Sequence, residues 1–161
     1  AEATKLVEAA QAEVARIKTT SQAALEQAAR NAILSLQAKI QEIFTLVIQS
    51  DSATALNSSA LNTLAPEILG KLLASGQEVG ELLLSEGDFS KLEASLRSSL
   101  SKELSKGMEI KPIKDLDAGL RIVAKDGGAY WDFSAQSLAN ILATWLNPRL
   151  AETMQKAIRD L

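Results

Sequence analysis

The residue types that could do chemistry are few, and their spacing is poor for it. Histidine is absent from all 161 residues, which removes the commonest general acid–base and metal ligand. Serines are plentiful, yet none sits in a Gly-x-Ser-x-Gly elbow, and without imidazole a serine nucleophile lacks its usual base. Asp126-Gly127-Gly128 has the glycine density of a phosphate loop. No lysine follows at P-loop spacing, however, and a hairpin turn between two β-prone runs accounts for it. Asp115 and Asp117 stand close together without the further oxygen ligands of a calcium loop, so no metal is expected there. No cofactor is expected either. Cysteine is absent as well, so disulfides and thiolate metal sites are excluded, which suits a reducing compartment. Tyr130, Trp131 and Phe133 are half of the six aromatics. Strand alternation puts Trp131 and Phe133 on one face and Tyr130 on the other. The pair is expected to form core against Trp145 and Leu142; the functional alternative is one of them exposed as a docking anchor.

With so little chemistry, the elements themselves carry the information. The chain is 47 % hydrophobic but 4 % aromatic, dominated by residues that favour helix, and its length suits one globular domain or a small domain plus an extension. Net charge is −3 with both signs interspersed. No basic block offers a phosphate-binding surface, so nucleic acid is excluded as a partner. No apolar run approaches the roughly twenty residues of a membrane span, so direct membrane insertion is not expected.

Neither glycine nor proline occurs before Pro66. Over this stretch the apolar residues follow the series Leu6, Ala10, Val14; Ile17, Ser21, Leu25; Ala28, Ala32, Leu36; Lys39, Ile43, Val47. Steps of four, four and three average about 3.67 residues, the period of a right-handed supercoil. Ser21 and Lys39 are the polar exceptions. One narrow seam cannot bury itself, so the helix is built to lie along another. Its charges balance, and Glu26 and Arg30 have the favourable acid-first spacing of four. Downstream, Ile33, Leu34, Leu36, Ile40, Ile43, Phe44, Leu46, Val47 and Ile48 cover much of the circumference, which predicts packing from several sides. The stalk is therefore placed at residues 1 to about 35, with the helix entering a head near 36–49. The chain divides into a stalk helix, 1–49, and a globular α/β head, 50–161. The sequence begins inside the periodic pattern, so the helix is expected to continue upstream.

Residues 50–59 read as a loop or frayed helix end, rich in side chains that compete for backbone hydrogen bonds. A helix follows over about 59–74, capped by Ser58 or Ser59, or starting instead at Pro66. Leu82–Leu84 form a short buried strand. Asp88 is expected to cap a helix over 89–105, and Met108–Lys111 form a strand ending before Pro112. Two strands joined by a helix favour a parallel pair with a right-handed crossover. Residues 119–124 and 129–133 form a hairpin around Lys125–Gly128. Ser134 caps the next helix, which Asn147-Pro148 is expected to end, starting a last one. The fold class is α+β: a long amino-terminal helix of right-handed coiled-coil type, then a small α/β head with a mixed sheet of about four strands.

A right-handed eleven-residue helix followed by such a head resembles the E subunit of the A/V-type rotary ATPases. Gly119-Leu-Arg-Ile-Val-Ala-Lys-Asp-Gly-Gly-Ala-Tyr-Trp-Asp-Phe-Ser134 is similar to that family's glycine-led strand, Asp-Gly turn and returning strand. Leu146-Asn-Pro-Arg-Leu150 resembles the start of its closing helix. The resemblance implies a non-catalytic peripheral-stalk (stator) component, cytoplasmic and peripheral to the membrane. It also implies pairing of the long helix with a G-subunit-like helical protein and docking of the head on the nucleotide-binding subunits of the catalytic ring. The expected partner-helix interface is Leu6, Ala10, Val14, Ile17, Leu25, Ala28 and Ala32, through which the isolated chain can also homodimerise. Arg149, Glu152, Lys156 and Arg159 on the last helix are the candidate head-docking residues. The alternatives are a stator component of a flagellar or type III secretion ATPase, which shares the plan, and a homodimeric coiled-coil adaptor.

Overall fold

The computed structural model describes residues 1–160. The architecture is α+β: a long helix, then a small head built on a four-stranded mixed sheet. α1 spans Glu2–Ala55, 54 residues and roughly 80 Å at 1.5 Å per residue. With no glycine or proline to interrupt it, the helix does not stop at Ser50. It runs through the expected loop, because Ser52 and Leu56 are buried and Ala53 packs on the core. That tertiary burial outweighs the few tenths of a kcal/mol by which each serine or aspartate disfavours helix.

The turn to α2 (Ser58–Ala74) is correspondingly tight. Its cap is Asn57, whose side chain accepts the Ala60 N–H at 3.0 Å, rather than either serine. Pro66 lies inside α2 and does not start it. β1 (Val79–Ser85) is longer than the leucine run. Ser85, not Asp88, caps α3 (Glu86–Ser99), accepting the Asp88 N–H at 3.1 Å. Asp88 returns the interaction through its carboxylate and also accepts from Ser58 at 2.8 Å, tying α3 to α2. The helix expected over 89–105 breaks at Leu100, which is buried; a short α4 (Ser101–Ser105) follows. β2 (Glu109–Ile113) includes Pro112, tolerated because β2 is an edge strand whose outer side needs no N–H.

β3 (Gly119–Ala124) and β4 (Tyr130–Ser134) form the expected hairpin. Its turn uses Gly127 at φ +72° and an Asp126 carboxylate that accepts the Gly128 N–H at 2.9 Å. Gly119 has φ +98°, and a Cβ there would collide with the Phe133 carbonyl oxygen and lie 2.7 Å from the Ser134 Cα. Only glycine lets the two strands close at that end. The strand order is β2-β1-β3-β4, with β1–β2 parallel and the other pairs antiparallel. α2 and α3 pack on one face, and Leu61, Leu69, Leu82, Leu84, Leu96, Leu120 and Ile122 are the fully buried side chains.

Ser134 caps α5 as expected, accepting the Ser137 N–H at 3.1 Å. α5 then runs unbroken over Ala135–Arg159, so Asn147-Pro148 neither ends one helix nor starts another. Pro148 is exposed, and the interaction of α5 with α1 holds the helix across the missing hydrogen bond. The two helices run antiparallel. The start of α5 and the end of α1 line one cleft, and half-buried positions recede together to Gln37 on α1 and Met154 on α5.

Candidate interaction surfaces

Three surfaces remain open. The first is the seam of α1. Leu6, Ala10, Val14, Ile17, Leu25, Ala28 and Ala32 are all exposed, Leu6 by 73 % and Leu25 by 70 %. None of residues 1–36 is even half-buried, so this part of the helix projects free of the head. The exposed surface of α1 supplies ion pairs, Glu13–Arg16 in this part and Lys39–Glu42 beyond it, each three residues apart. The Arg16 hydrogen bond holds the Glu13 carboxyl below its ordinary value. Glu26 and Arg30 form no such pair, as suits exposed ions that gain almost nothing by meeting.

The second surface is the α1–α5 hairpin. α5 turns Ala139 and Ala143 toward α1, both buried, and this small-residue contact lets the helices approach closely. One band of α1 is covered: Gln37, Ile40, Gln41, Phe44, Thr45, Ile48, Gln49, Ser52 and Ala53. Leu34, Leu36, Ile43, Leu46 and Val47 stay exposed, so the helix is not packed from several sides as its composition suggests. At 100° per residue the seam positions 36, 43 and 47 project about 140° away from the centre of the covered band, leaving the seam continuous into the head region.

On α5 the expected aromatic core does not form. Trp131 and Phe133 are half-buried against the core, but Trp145 is 63 % exposed and Leu142 and Ile141 are exposed with it. The reason is rotational: the alanine face of α5 meets α1, so the bulky face points to solvent. The Arg149 guanidinium lies 4.5 Å from the Trp145 ring centroid. Arg149, Glu152, Lys156 and Arg159 are all exposed along α5 and make no ion pair among the described residues. The Asn147 side-chain oxygen is buried without a partner, an uncompensated cost where α5 passes α1.

The third surface is the sheet face opposite α2 and α3. Arg121 is its centre, 3.3 Å from Asp132, 3.4 Å from Asp115 and 5.6 Å from the Tyr130 ring centroid. Burial pushes the Asp132 carboxyl up, but hydrogen bonds from Ser134 and the charge of Arg121 outweigh it and hold it below its ordinary value. Lys111 bridges Glu81 and Glu109, and those bonds raise its ammonium well above the usual range. Nearby, a cleft of about 640 Å³ opens between the end of α1, the β2–β3 connection and the start of α5. Asp115, Asp117, Arg121, Asp132, Ser134 and Asn140 line it, and no group of three metal-ligating side chains occurs among the described residues. No described helix is long and apolar enough to cross a membrane.

The chain is thus an α+β protein in which a long helix with a bare seam carries a compact head at its end. No protein-family model matches the chain. Individual relatives do. The E subunit of the V-type ATP synthase of Treponema denticola is 33 % identical over 141 residues, 87 % of this chain and 69 % of the relative. That of Treponema pallidum is 35 % identical over 137 residues, 85 % of this chain and 59 % of the relative. That of Borreliella burgdorferi is 32 % identical over 134 residues, 82 % and 66 % respectively. The chain belongs to the family of V-type ATP synthase E subunits. The matched region spans 59 % to 69 % of the length of these three relatives.

Proposed function

We propose that the chain is a non-catalytic peripheral-stalk component of an A/V-type rotary ATPase, cytoplasmic and peripheral to the membrane. Residues 1–49 act as the stalk and 50–161 as the head. A rotary motor couples ATP turnover to ion movement only if its catalytic ring is prevented from turning with the shaft. A paired helix of this length, fixed at the head, resists that rotation.

The observation that carries the reading is the seam: Leu6, Ala10, Val14, Ile17, Leu25, Ala28 and Ala32 lie bare on a continuous helix. Such a stripe is stable only against a second helix of matching period. The occupant is a G-subunit-like helical protein, forming a right-handed pair. Docking on the nucleotide-binding subunits of the catalytic ring falls to the head, with Arg149, Glu152, Lys156 and Arg159 as helix-borne contacts.

Co-expression with the G-like protein of the same genome tests this. Light scattering is expected to give a one-to-one heterodimer in place of a homodimer. A chain that stays a homodimer in the presence of excess G-like protein supports the adaptor reading and removes this one. The purified chain is expected to bind no ATP; saturable binding at micromolar affinity overturns the non-catalytic assignment.

A further inference from the structure

One face of the four-stranded sheet has no helix packed across it, although the end of α1 and the start of α5 border it beside Arg121 and Asp132. α2 and α3 both pack over Leu82, Leu84, Leu120 and Ile122 on the other. Strand register places Glu109, Glu81, Val123 and Tyr130 in one row across the bare face, and Lys111, Leu83, Arg121 and Asp132 in the next. Leu83 is buried although no helix covers it; it sits between Lys111 and Arg121, whose apolar stems shield it.

We propose that this face is a docking surface of the head, fitted to a folded protein surface rich in lysine and arginine. It rests on the stalk reading above in that the bearer of the basic surface is the catalytic ring. Three features carry it. The groups are held in place before any partner arrives: Lys111 is 2.7 Å from Glu109, and Arg121 is fixed between Asp115, Asp132 and the Tyr130 ring. Side chains already ordered lose little freedom on binding. Tyr130 is 64 % exposed at the end of its row, an amphipathic ring of the kind that anchors interfaces. The charge is unbalanced, because four carboxylates (Glu81, Glu109, Asp115 and Asp132) face only two cations, each already paired. A basic protein surface answers that surplus; a phosphate backbone is repelled by it. Pro112 on the β2 edge disfavours strand addition at that edge.

Absence of cysteine makes the test clean. Glu109→Cys, Tyr130→Cys and Lys156→Cys are labelled singly with a benzophenone maleimide and irradiated in the assembled complex. Adducts from Glu109→Cys and Tyr130→Cys to the nucleotide-binding ring are expected. Adducts from Lys156→Cys alone, or from none of the three, overturn the proposal. Tyr130→Ala is expected to weaken capture of ring proteins about 10-fold while the G-like helix is retained and the melting temperature is unchanged, in line with an interface anchor. Unchanged capture overturns it while leaving the stalk reading standing. If the wild-type chain captures neither a helical partner nor ring proteins, both readings fall.

Discussion

Leu25→Ala separates a partner seam from a structural core, because the two roles give opposite results. Leu25 is 70 % exposed and touches no part of the head, so truncation costs the free chain nothing in burial. Alanine is also the better helix former by a small margin, and the melting temperature of the free chain should stay the same or rise slightly. In the helix pair the account reverses. Leucine to alanine removes three carbons, worth about 0.8 kcal/mol each when fully buried, and scaling by the exposed fraction leaves about 1.7 kcal/mol. That corresponds to ~15-fold weaker pairing with the G-like helix, with any residual cavity adding to it. Isothermal titration against that helix reads the loss, and a thermal melt reads the free chain. Leu69→Ala is the opposite control: at 1 % exposure it should destabilise the head by about 2–5 kcal/mol without altering pairing in the molecules that remain folded. Unchanged pairing for Leu25→Ala, together with a free chain destabilised by about 1 kcal/mol or more, refutes the reasoning, since only packing within the chain gives that result.

Three further outcomes are expected. Gly119→Ala should destabilise the head by about 3 kcal/mol or more in urea unfolding, combining the cost of a non-glycine residue at positive φ with a backbone collision at β4; a loss under about 1 kcal/mol contradicts the collision. The Asp132 carboxyl is held below its ordinary value, so its stabilisation is full above about pH 4, the unfolded value, and is lost as pH falls through the lower folded value. Asp132→Asn should therefore flatten the acid limb of a stability–pH curve, and an unchanged limb places the acid sensitivity elsewhere. Reversing charge at both Arg149 and Lys156 should weaken complex assembly more at low salt than at high, because exposed charges are screened beyond about 8–10 Å; a salt-independent effect, or none, removes α5 from the docking surface.

The amino-acid sequence by itself determined the elements whose cause is local. A run without glycine or proline and with a four-four-three stripe can only be a long helix with one seam, and α1 is that helix, bare along its first 36 residues. The Asp-Gly turn, the Ser134 cap and a crossover too long for a hairpin were legible for the same reason: each depends on neighbours in sequence. Tertiary structure alone decided the rest. Ser50-Asp51-Ser52 is a loop by propensity and a helix in fact, since the anchors that hold it, Ala53 and Leu56, gain their burial from the head. Asn147-Pro148 is a stop signal locally, yet α5 continues because α1 lies alongside it and the proline ring faces outward. Trp145 and Leu142 are apolar enough for a core and still stand in solvent, because the rotation of α5 was set by which face could approach α1 most closely, and two alanines won that contest. The bare sheet face was hidden for a similar reason. Glu81, Glu109, Lys111, Arg121, Tyr130 and Asp132 are scattered over three separate stretches of chain, and only the strand order β2-β1-β3-β4 brings them to one surface.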